Sequence, residues 1–206
     1  LDGGVLVLCG VSGVQSQSLT VDRQMKRYEL PRVAFVNKLD RAGADPDKVV
    51  TQVREQMALH ACAVQIPIGL EGAHEGVVDL VKRVAYAFNG VKGEEVEETA
   101  VPASLTDEVE ERRTILIEAV ADVDDHLAEV YLEGEAIDAV TLSDAIGRAT
   151  KARAFVPVFM GSAFKNKGVQ PLLDGVLAYL PAPTAREGVH ALDLDNDERP
   201  VPLTCD

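Results

Sequence analysis

Hydrophobic residues in the first third of the chain are concentrated in short runs. Three such runs occupy residues 5–9, 32–36 and 63–68. Runs of this length are typical of strands that are buried on both faces of a parallel sheet. The segments between them show helical spacing and predict helices over residues 14–30 and 45–60, the second starting at the cap pair Asp45 and Pro46. This alternation predicts an α/β fold with a doubly wound, mostly parallel sheet.

The pattern changes at about residue 69. Residues 75–90 alternate loosely between apolar and polar positions, which predicts short antiparallel strands, and residues 91–102 predict an exposed acidic loop. Three helices are predicted after this loop, at residues 104–123, 125–133 and 141–153. Ser104 and Thr141 are expected to cap the first and third of these helices, because each has an acidic residue three positions further on.

The first pattern returns near the C-terminus, with a strand, a loop and a helix predicted at residues 154–160, 161–168 and 169–180. We therefore expect an α/β domain that is interrupted by an acidic α+β insertion. The predicted division assigns residues 1–68 and 154–181 to the α/β domain, residues 69–153 to the insertion, and the Pro- and Asp-rich residues 182–206 to a linker towards a second domain that is absent.

The net charge of −14 is concentrated in one segment of the chain. Residues 94–144 contain 17 acidic and two basic residues, and the remaining residues are nearly neutral in sum. Such a segment is either a solvated helical surface or a docking face for a basic partner. The charge argues against a direct nucleic-acid-binding patch. No apolar run approaches the roughly 18 residues of a membrane-spanning helix, so no membrane partner is expected.

The stretch "RVAFVNKLDRAG" places an amide, an ammonium and a carboxylate directly after a predicted buried strand. Ligands of open α/β sheets bind beyond the carboxyl ends of the strands. The Asp40 carboxylate can accept two parallel hydrogen bonds from the N1–H and amino groups of guanine, an edge that adenine lacks. Lys38 can lay its stem across the purine, and Asn37 can tie the loop to the backbone and donate to the base. On spacing alone, an ordinary polar loop remains an alternative.

A second loop, "GSAFKNKG", follows another predicted buried strand. Ser162 and Ala163 are small, so their backbone N–H groups could approach an acceptor such as guanine O6. Because the carboxyl ends of parallel strands meet at one edge of a sheet, the two loops together favour guanine recognition.

These motifs resemble those of the translational GTPases, in which N-K-x-D and a later S-A-[FL] loop bind the base. The stretches "TVDRQMKRY", "QIPIGLEG" and "KNKGVQPLLD" are similar to the elongation factor G family, and the resemblance extends to about residue 183. The residues that it assigns to guanine binding are Asn37, Lys38, Asp40, Ser162, Ala163 and Phe164. It implies binding of GTP and GDP, Mg²⁺ in the full-length protein, and GTP-driven movement of tRNA and mRNA on the ribosome. It also implies that the ribosomal stalk protein docks on the acidic insertion.

The chain departs from this family in several respects, because it contains no G-x-x-x-x-G-K-[ST] phosphate loop, no switch I threonine and no catalytic histidine. The stretch "DRAG" at residues 40–43 fits the D-x-x-G motif of a switch region, but Asp40 is already assigned to the base. We therefore expect the C-terminal half of a GTPase domain, with no catalytic residue and no Mg²⁺ or other metal ligand, inactive by itself.

Two alternatives stay open within this interpretation. A ribosome-recycling or ribosome-protection paralogue of the same family would share both loops. A non-catalytic acidic module that docks the ribosomal stalk would need neither loop. Cys9, Cys62 and Cys205 lack metal-ligand spacing and predict reduced thiols, which is consistent with a bacterial cytoplasm or, alternatively, a mitochondrial matrix.

Overall fold

The computed structural model describes residues 1–182, 190–193 and 199–202. The strands are β1 (Gly4–Cys9), β2 (Arg32–Asn37), β3 (Ala61–Ala63), β4 (Gln65–Ile68), β5 (Gly76–Asp79), β6 (Val84–Asn89), β7 (Glu95–Thr99), β8 (Val156–Met160), β9 (His190–Asp193) and β10 (Arg199–Pro202). The helices are α1 (Ser16–Arg27), α2 (Pro46–Met57), α3 (Thr106–Ala121), α4 (Asp125–Leu132), α5 (Ala139–Lys151) and α6 (Val169–Tyr179).

The main sheet contains four parallel strands in the order β1-β2-β8-β3. Side chains that alternate along β2 enter two different cores. Ala34 and Val36 pack in a core with residues of α2, whereas Val33 and Phe35 pack in a core with residues of α3, α5 and α6. Because helices cover both faces of the centre of this sheet, residues 33–36 of β2 and all of β8 are apolar and buried. The predicted α/β class with a mostly parallel sheet is confirmed.

The second sheet is antiparallel, with strand order β4-β5-β6-β7. The sequence predicted one strand at residues 63–68, but the chain changes sheets at Val64. The N–H of Val64 donates to the Val158 carbonyl of the main sheet, and its carbonyl accepts from the N–H of Leu80 in the segment after β5. The antiparallel sheet therefore begins at Gln65, four residues before the predicted start of the insertion; the four-part division stays a prediction.

The acidic segment at residues 91–102 was predicted as a loop, and this is wrong for Glu95–Thr99. These residues form the edge strand β7, paired with β6 and exposed at every position. An edge strand with both faces in solvent has no apolar alternation, so its sequence lacks the usual strand signal.

Two of the three predicted helix caps are wrong. Asp45 caps α2 as expected, accepting from the N–H of Lys48 at 3.0 Å, with Pro46 as the first helical residue. Helix α3 instead follows a short 3₁₀ turn, Ala103–Leu105, that contains Ser104. In α5 the cap is Asp138, and Thr141 supplies the N–H that it binds at 2.7 Å. Sequence spacing identified the helices but not which polar residue begins them.

The predicted linker at residues 182–206 contains a structural element that the sequence did not indicate. Strands β9 and β10 pair in an antiparallel arrangement. The rest of that prediction, at residues 183–189, 194–198 and 203–206, lies outside the described residues. Among the helices that the structure describes, none combines the length and the apolar character needed to cross a membrane.

One buried carboxylate joins helices α4 and α5. The Oδ1 atom of Asp124 caps α4 by accepting from the N–H of Leu127 at 2.9 Å. Arg148 of α5 donates to both oxygens, from Nε at 2.9 Å and from an Nη atom at 2.8 Å. The hydrogen bonds from Arg148 hold the pKa of Asp124 below its usual value. This carboxylate is therefore expected to stabilise the helical part of the structure only while it is ionised.

We expect Asp124→Asn to lower the free energy of unfolding by about 1.5 kcal/mol at pH 7, because it weakens a cap and a charged hydrogen-bond pair. The contribution of Asp124 is present above its unfolded-state pKa of about 3.9 and is lost as the pH falls through the lower folded-state value. Urea denaturation between pH 7 and pH 3 should therefore show the difference between wild type and variant shrinking below about pH 4.

The control is Glu129→Gln, on the same helix, away from the Asp124–Arg148 pair, which should change stability by less than about 0.5 kcal/mol. A difference for Asp124→Asn that stays constant down to pH 3 would contradict this role of the charge.

Candidate functional site

The two loops singled out in the sequence lie side by side at the carboxyl edge of the main sheet. Strands β2 and β8 are neighbours, with Val36 opposite Met160. Beyond that pair the backbones remain connected, because the N–H of Gly161 donates to the Val36 carbonyl at 3.0 Å and the N–H of Leu39 donates to the Gly161 carbonyl at 3.1 Å. Residues 37–40 and 161–164 thus form one continuous surface.

Asn37 connects the two loops through its side-chain carbonyl. The Oδ1 atom accepts hydrogen bonds from the N–H of Lys38 at 2.7 Å and from the N–H of Ala163 at 2.9 Å. The Nδ2 group of Asn37 has no hydrogen-bond partner among the described residues, so it is available to a ligand. Asn37 thus ties the loop to neighbouring backbone, and its donation to a base stays a prediction.

Asp40 is held by Ser162 across the same gap. The Ser162 hydroxyl is fully buried and donates to Asp40 Oδ1 at 2.6 Å. The other oxygen, Oδ2, lies 4.0 Å from Nε of Arg41. Burial alone would raise the pKa of Asp40, but the hydrogen bond from Ser162 and the nearby charges of Arg41 and Lys165 hold it below its usual value. Asp40 therefore presents an ionised carboxylate with one oxygen free to accept hydrogen bonds.

Lys38 and Phe164, which were also predicted to bind the base, both have exposed side chains. Lys38 is exposed and has a left-handed backbone, with φ of +70°. A non-glycine residue in this conformation is strained, and such strain is concentrated at binding sites. The Phe164 ring is 83% exposed, and its only ring contact among the described residues is the ammonium of Lys165, 5.8 Å from the ring centroid. Phe164 therefore stands apart from the Asn37 and Asp40 side chains.

The backbone donors of the second loop differ from expectation. The N–H of Ala163 was expected to be open to a ligand, but it is bonded to Asn37. The N–H of Phe164 has no partner among the described residues. The donor–acceptor set on this surface is therefore one free carboxylate oxygen, one free amide NH₂ group and one free backbone N–H.

A third segment that sequence reasoning missed supports both loops. Glu71 follows β4 and binds the first loop twice, through its N–H to the Leu39 carbonyl at 2.7 Å and through Oε1 to the N–H of Gly43 at 2.7 Å. Lys167 binds the same segment at the carbonyl of His74 at 2.7 Å. No periodicity in the sequence marks Glu71, because its partners are backbone groups. Its short stretch "QIPIGLEG" was noticed only for its resemblance to a family.

His74 has a packing role in this segment. It is 4% exposed, and its Nδ1 atom lies 3.2 Å from the Gly69 carbonyl. Burial lowers its pKa. Gly69 itself has φ of +71°, and a Cβ there would lie 2.0 Å from the Ala73 carbonyl oxygen. The segment therefore requires glycine at this turn.

Comparison with known proteins shows similarity to the GTP-binding domains of elongation factors. The family model described as "Elongation factor Tu GTP binding domain" matches residues 1–182. "Elongation factor G-1, mitochondrial" from Arabidopsis thaliana is 58% identical over 204 residues, which are 99% of this chain and 27% of that protein. "Elongation factor G 1" from Treponema pallidum (strain Nichols) is 52% identical over 206 residues, 100% of this chain and 29% of that protein.

A solved structure is similar as well. The crystal structure of a protein from Thermus thermophilus matches with a TM-score of 0.79 at 29% sequence identity, covering 90% of this chain and 27% of that one. The chain thus spans between 27% and 29% of the length of these relatives. Because the family model covers most of the sequence, the chain belongs to the family of the elongation factor Tu GTP-binding domain.

Proposed function

We propose that this chain is the guanine-recognising part of an elongation factor G-type GTPase, which uses GTP to move tRNA and mRNA through the ribosome. The observation that carries the proposal is the pair of hydrogen bonds between loops, from Ala163 to Asn37 and from Ser162 to Asp40. These bonds fix an acceptor and two donors on one surface before any ligand arrives. Such preorganisation is what selective recognition of a base edge requires.

In this proposal each residue has a separate task. Asp40 accepts from the N1–H and amino groups of guanine, and Ser162 orients its carboxylate. The amide NH₂ of Asn37 and the N–H of Phe164 donate to the acceptors on the opposite side of the purine. Lys38 covers one face of the ring with its methylene stem. A base that offers an acceptor where guanine has its amino group leaves Asp40 desolvated and unpaired, which disfavours binding.

The full-length activity in this proposal is GTP hydrolysis with Mg²⁺. The Mg²⁺ would be held with the phosphates by groups that these 206 residues do not supply, since they contain no phosphate-loop motif. A ribosome-recycling or ribosome-protection paralogue is the alternative within the family. The names of the relatives favour the elongation factor, and a bacterial cytoplasm or, alternatively, a mitochondrial matrix is the location that we propose.

The acidic insertion is proposed to dock the ribosomal stalk protein. The proposal is supported by the exposed acids of the insertion and by an ion pair that holds α3 in place. Two acids of α3 are partly neutralised by ion pairs: Glu108 pairs with Arg112 at 3.7 Å, and Glu110 pairs with Arg83 at 3.5 Å. Arg112 also binds Asp47 of α2 at 2.6 Å, which fixes the helix against the main domain. Most acids of the segment remain exposed, so the surface is a rigid negative patch suited to a basic partner.

We predict that this chain alone binds GDP with a dissociation constant weaker than ~1 µM and hydrolyses no GTP. Most of the affinity of such proteins comes from phosphate and Mg²⁺ contacts, whereas the base loops supply selectivity. Isothermal titration calorimetry and a phosphate-release assay measure both quantities. Sub-micromolar binding of GDP or measurable GTP turnover would contradict the claim that the base loops supply selectivity but little affinity.

We predict that Asp40→Asn shifts the preference from guanine to xanthine nucleotides by roughly tenfold or more, because an amide can donate where xanthine has a carbonyl. NMR titrations with GDP and xanthosine diphosphate at millimolar concentration measure the two affinities. Asp45→Asn, at the cap of α2, is the control and should leave the preference unchanged. An unchanged preference in the Asp40 variant would remove Asp40 from base recognition.

We predict that reversing the charges of Glu108, Glu110 and Glu111 to Lys weakens binding to the C-terminal domain of the stalk protein, by about tenfold at low salt and less at high salt. Fluorescence anisotropy at two ionic strengths measures this. Glu55→Lys, on the exposed side of α2, is the single-charge control and should have little effect. Equal affinity at every ionic strength would exclude the insertion as the docking face.

A further inference from the structure

A cavity of about 400 Å³ lies between the antiparallel sheet and helices α5 and α6. Its lining comes from the end of β5, from β6, from both helices, and from Phe159 of the main sheet. None of its lining residues belongs to the base loops or to the segment that supports them. The cavity is therefore a separate feature, and its volume is that of a small organic molecule.

Aromatic side chains form the apolar part of this cavity. The rings of Phe159 and Tyr179 lie 6.2 Å apart between centroids, at an interplanar angle of 34°. Tyr86 lines another wall, and its hydroxyl accepts a hydrogen bond from Lys82 Nζ at 3.2 Å. Burial raises the pKa of Tyr86 and raises that of Tyr179 to about 12, so both tyrosines are neutral near pH 7. Such walls suit a flat apolar body.

Carboxylates form the polar part of the cavity lining. Oδ1 of Asp79 accepts from the N–H groups of Val81 and Lys82, at 2.8 Å and 2.9 Å, and so holds the turn between β5 and β6. That structural role uses one oxygen, and no described residue donates a hydrogen bond to Oδ2. Asp144 of α5 and Asp174 of α6 line the cavity at exposed positions. Burial raises the pKa of Asp79, although the N–H groups of Val81 and Lys82 and the charges of Lys82 and Arg113 act to lower it.

Lys82, the basic residue in the lining, does not neutralise these carboxylates. The ammonium of Lys82 is hydrogen-bonded to Tyr86 and lies 5.9 Å from the centroid of its ring. Lys82 forms no ion pair with Asp79 among the described residues. Three carboxylates and one ammonium therefore line a cavity with aromatic walls, and Asp79 has one carboxylate oxygen to which no described residue donates.

We propose that this cavity binds a small organic cation, a protonated amine on an aromatic body. The ammonium would donate to Oδ2 of Asp79, with Asp144 and Asp174 attracting it at the entrance. The aromatic body would pack against Phe159 and Tyr179. This site is independent of the proposed guanine site, because the two share no residue.

The test compares tryptamine with tryptophol, which differ in carrying an ammonium or a hydroxyl group on the same ring system. NMR titration of the whole chain should show saturable shifts at residues 79–82, 143 and 174–179. Tryptamine should bind about tenfold more tightly than tryptophol, since hydrogen bonds to charged groups contribute more than neutral ones. Asp79→Asn should abolish this preference, because the amide retains the Oδ1 acceptor for the turn but lacks the charge.

A second variant, Ala178→Phe in the lining, should block both compounds. The control Asp107→Asn, outside the lining, should change nothing. Equal affinity for the two compounds, no saturation up to about 10 mM, or a preference that survives Asp79→Asn would each overturn the proposal.

Discussion

The parallel pairing of β2 with β8 is the constraint on which the candidate site depends. It brings together two loops whose paired residues, Asp40 and Ser162, are 122 positions apart in the sequence. The pairing is stabilised by burial on both faces, because helices cover the sheet on each side and every residue of β8 is buried. Hydrophobic burial thus fixes the register, and the register fixes which polar atoms meet at the edge.

The antiparallel sheet is joined to this arrangement at two places. Val64 forms backbone hydrogen bonds with both sheets, and Gln65 next to it accepts from the N–H of Met160 at 3.1 Å, one residue before the second loop. Further along, Glu71 binds the backbone of the first loop. The insertion is therefore connected to the site through hydrogen bonds to backbone groups. The acidic surface and the base loops belong to one continuous structure.

Much of the main domain could be predicted from sequence, because strands buried on both faces give uninterrupted apolar runs and Asp-Pro marks a helix start. The errors occurred where solvent or backbone groups determine the structure. Strand β7 is exposed on both faces and has no alternation, and the change of sheet at Val64 occurs within an apolar run. Of the site, the residue types were predicted from the N-K-x-D spacing. The contribution of Glu71 was not, because Glu71 acts through hydrogen bonds to backbone groups, which leave no residue-type signal.

The central claim is that the surface formed by residues 37–40 and 161–164 recognises the guanine base. The most direct measurement is a ¹⁵N-resolved NMR titration of the chain with GDP and, separately, with ADP. The account predicts that GDP shifts the amides of Asn37, Lys38, Ala163 and Phe164 in a saturable way, and that ADP leaves them nearly unchanged. Shifts of equal size with both nucleotides, or shifts centred elsewhere on the chain, would contradict it.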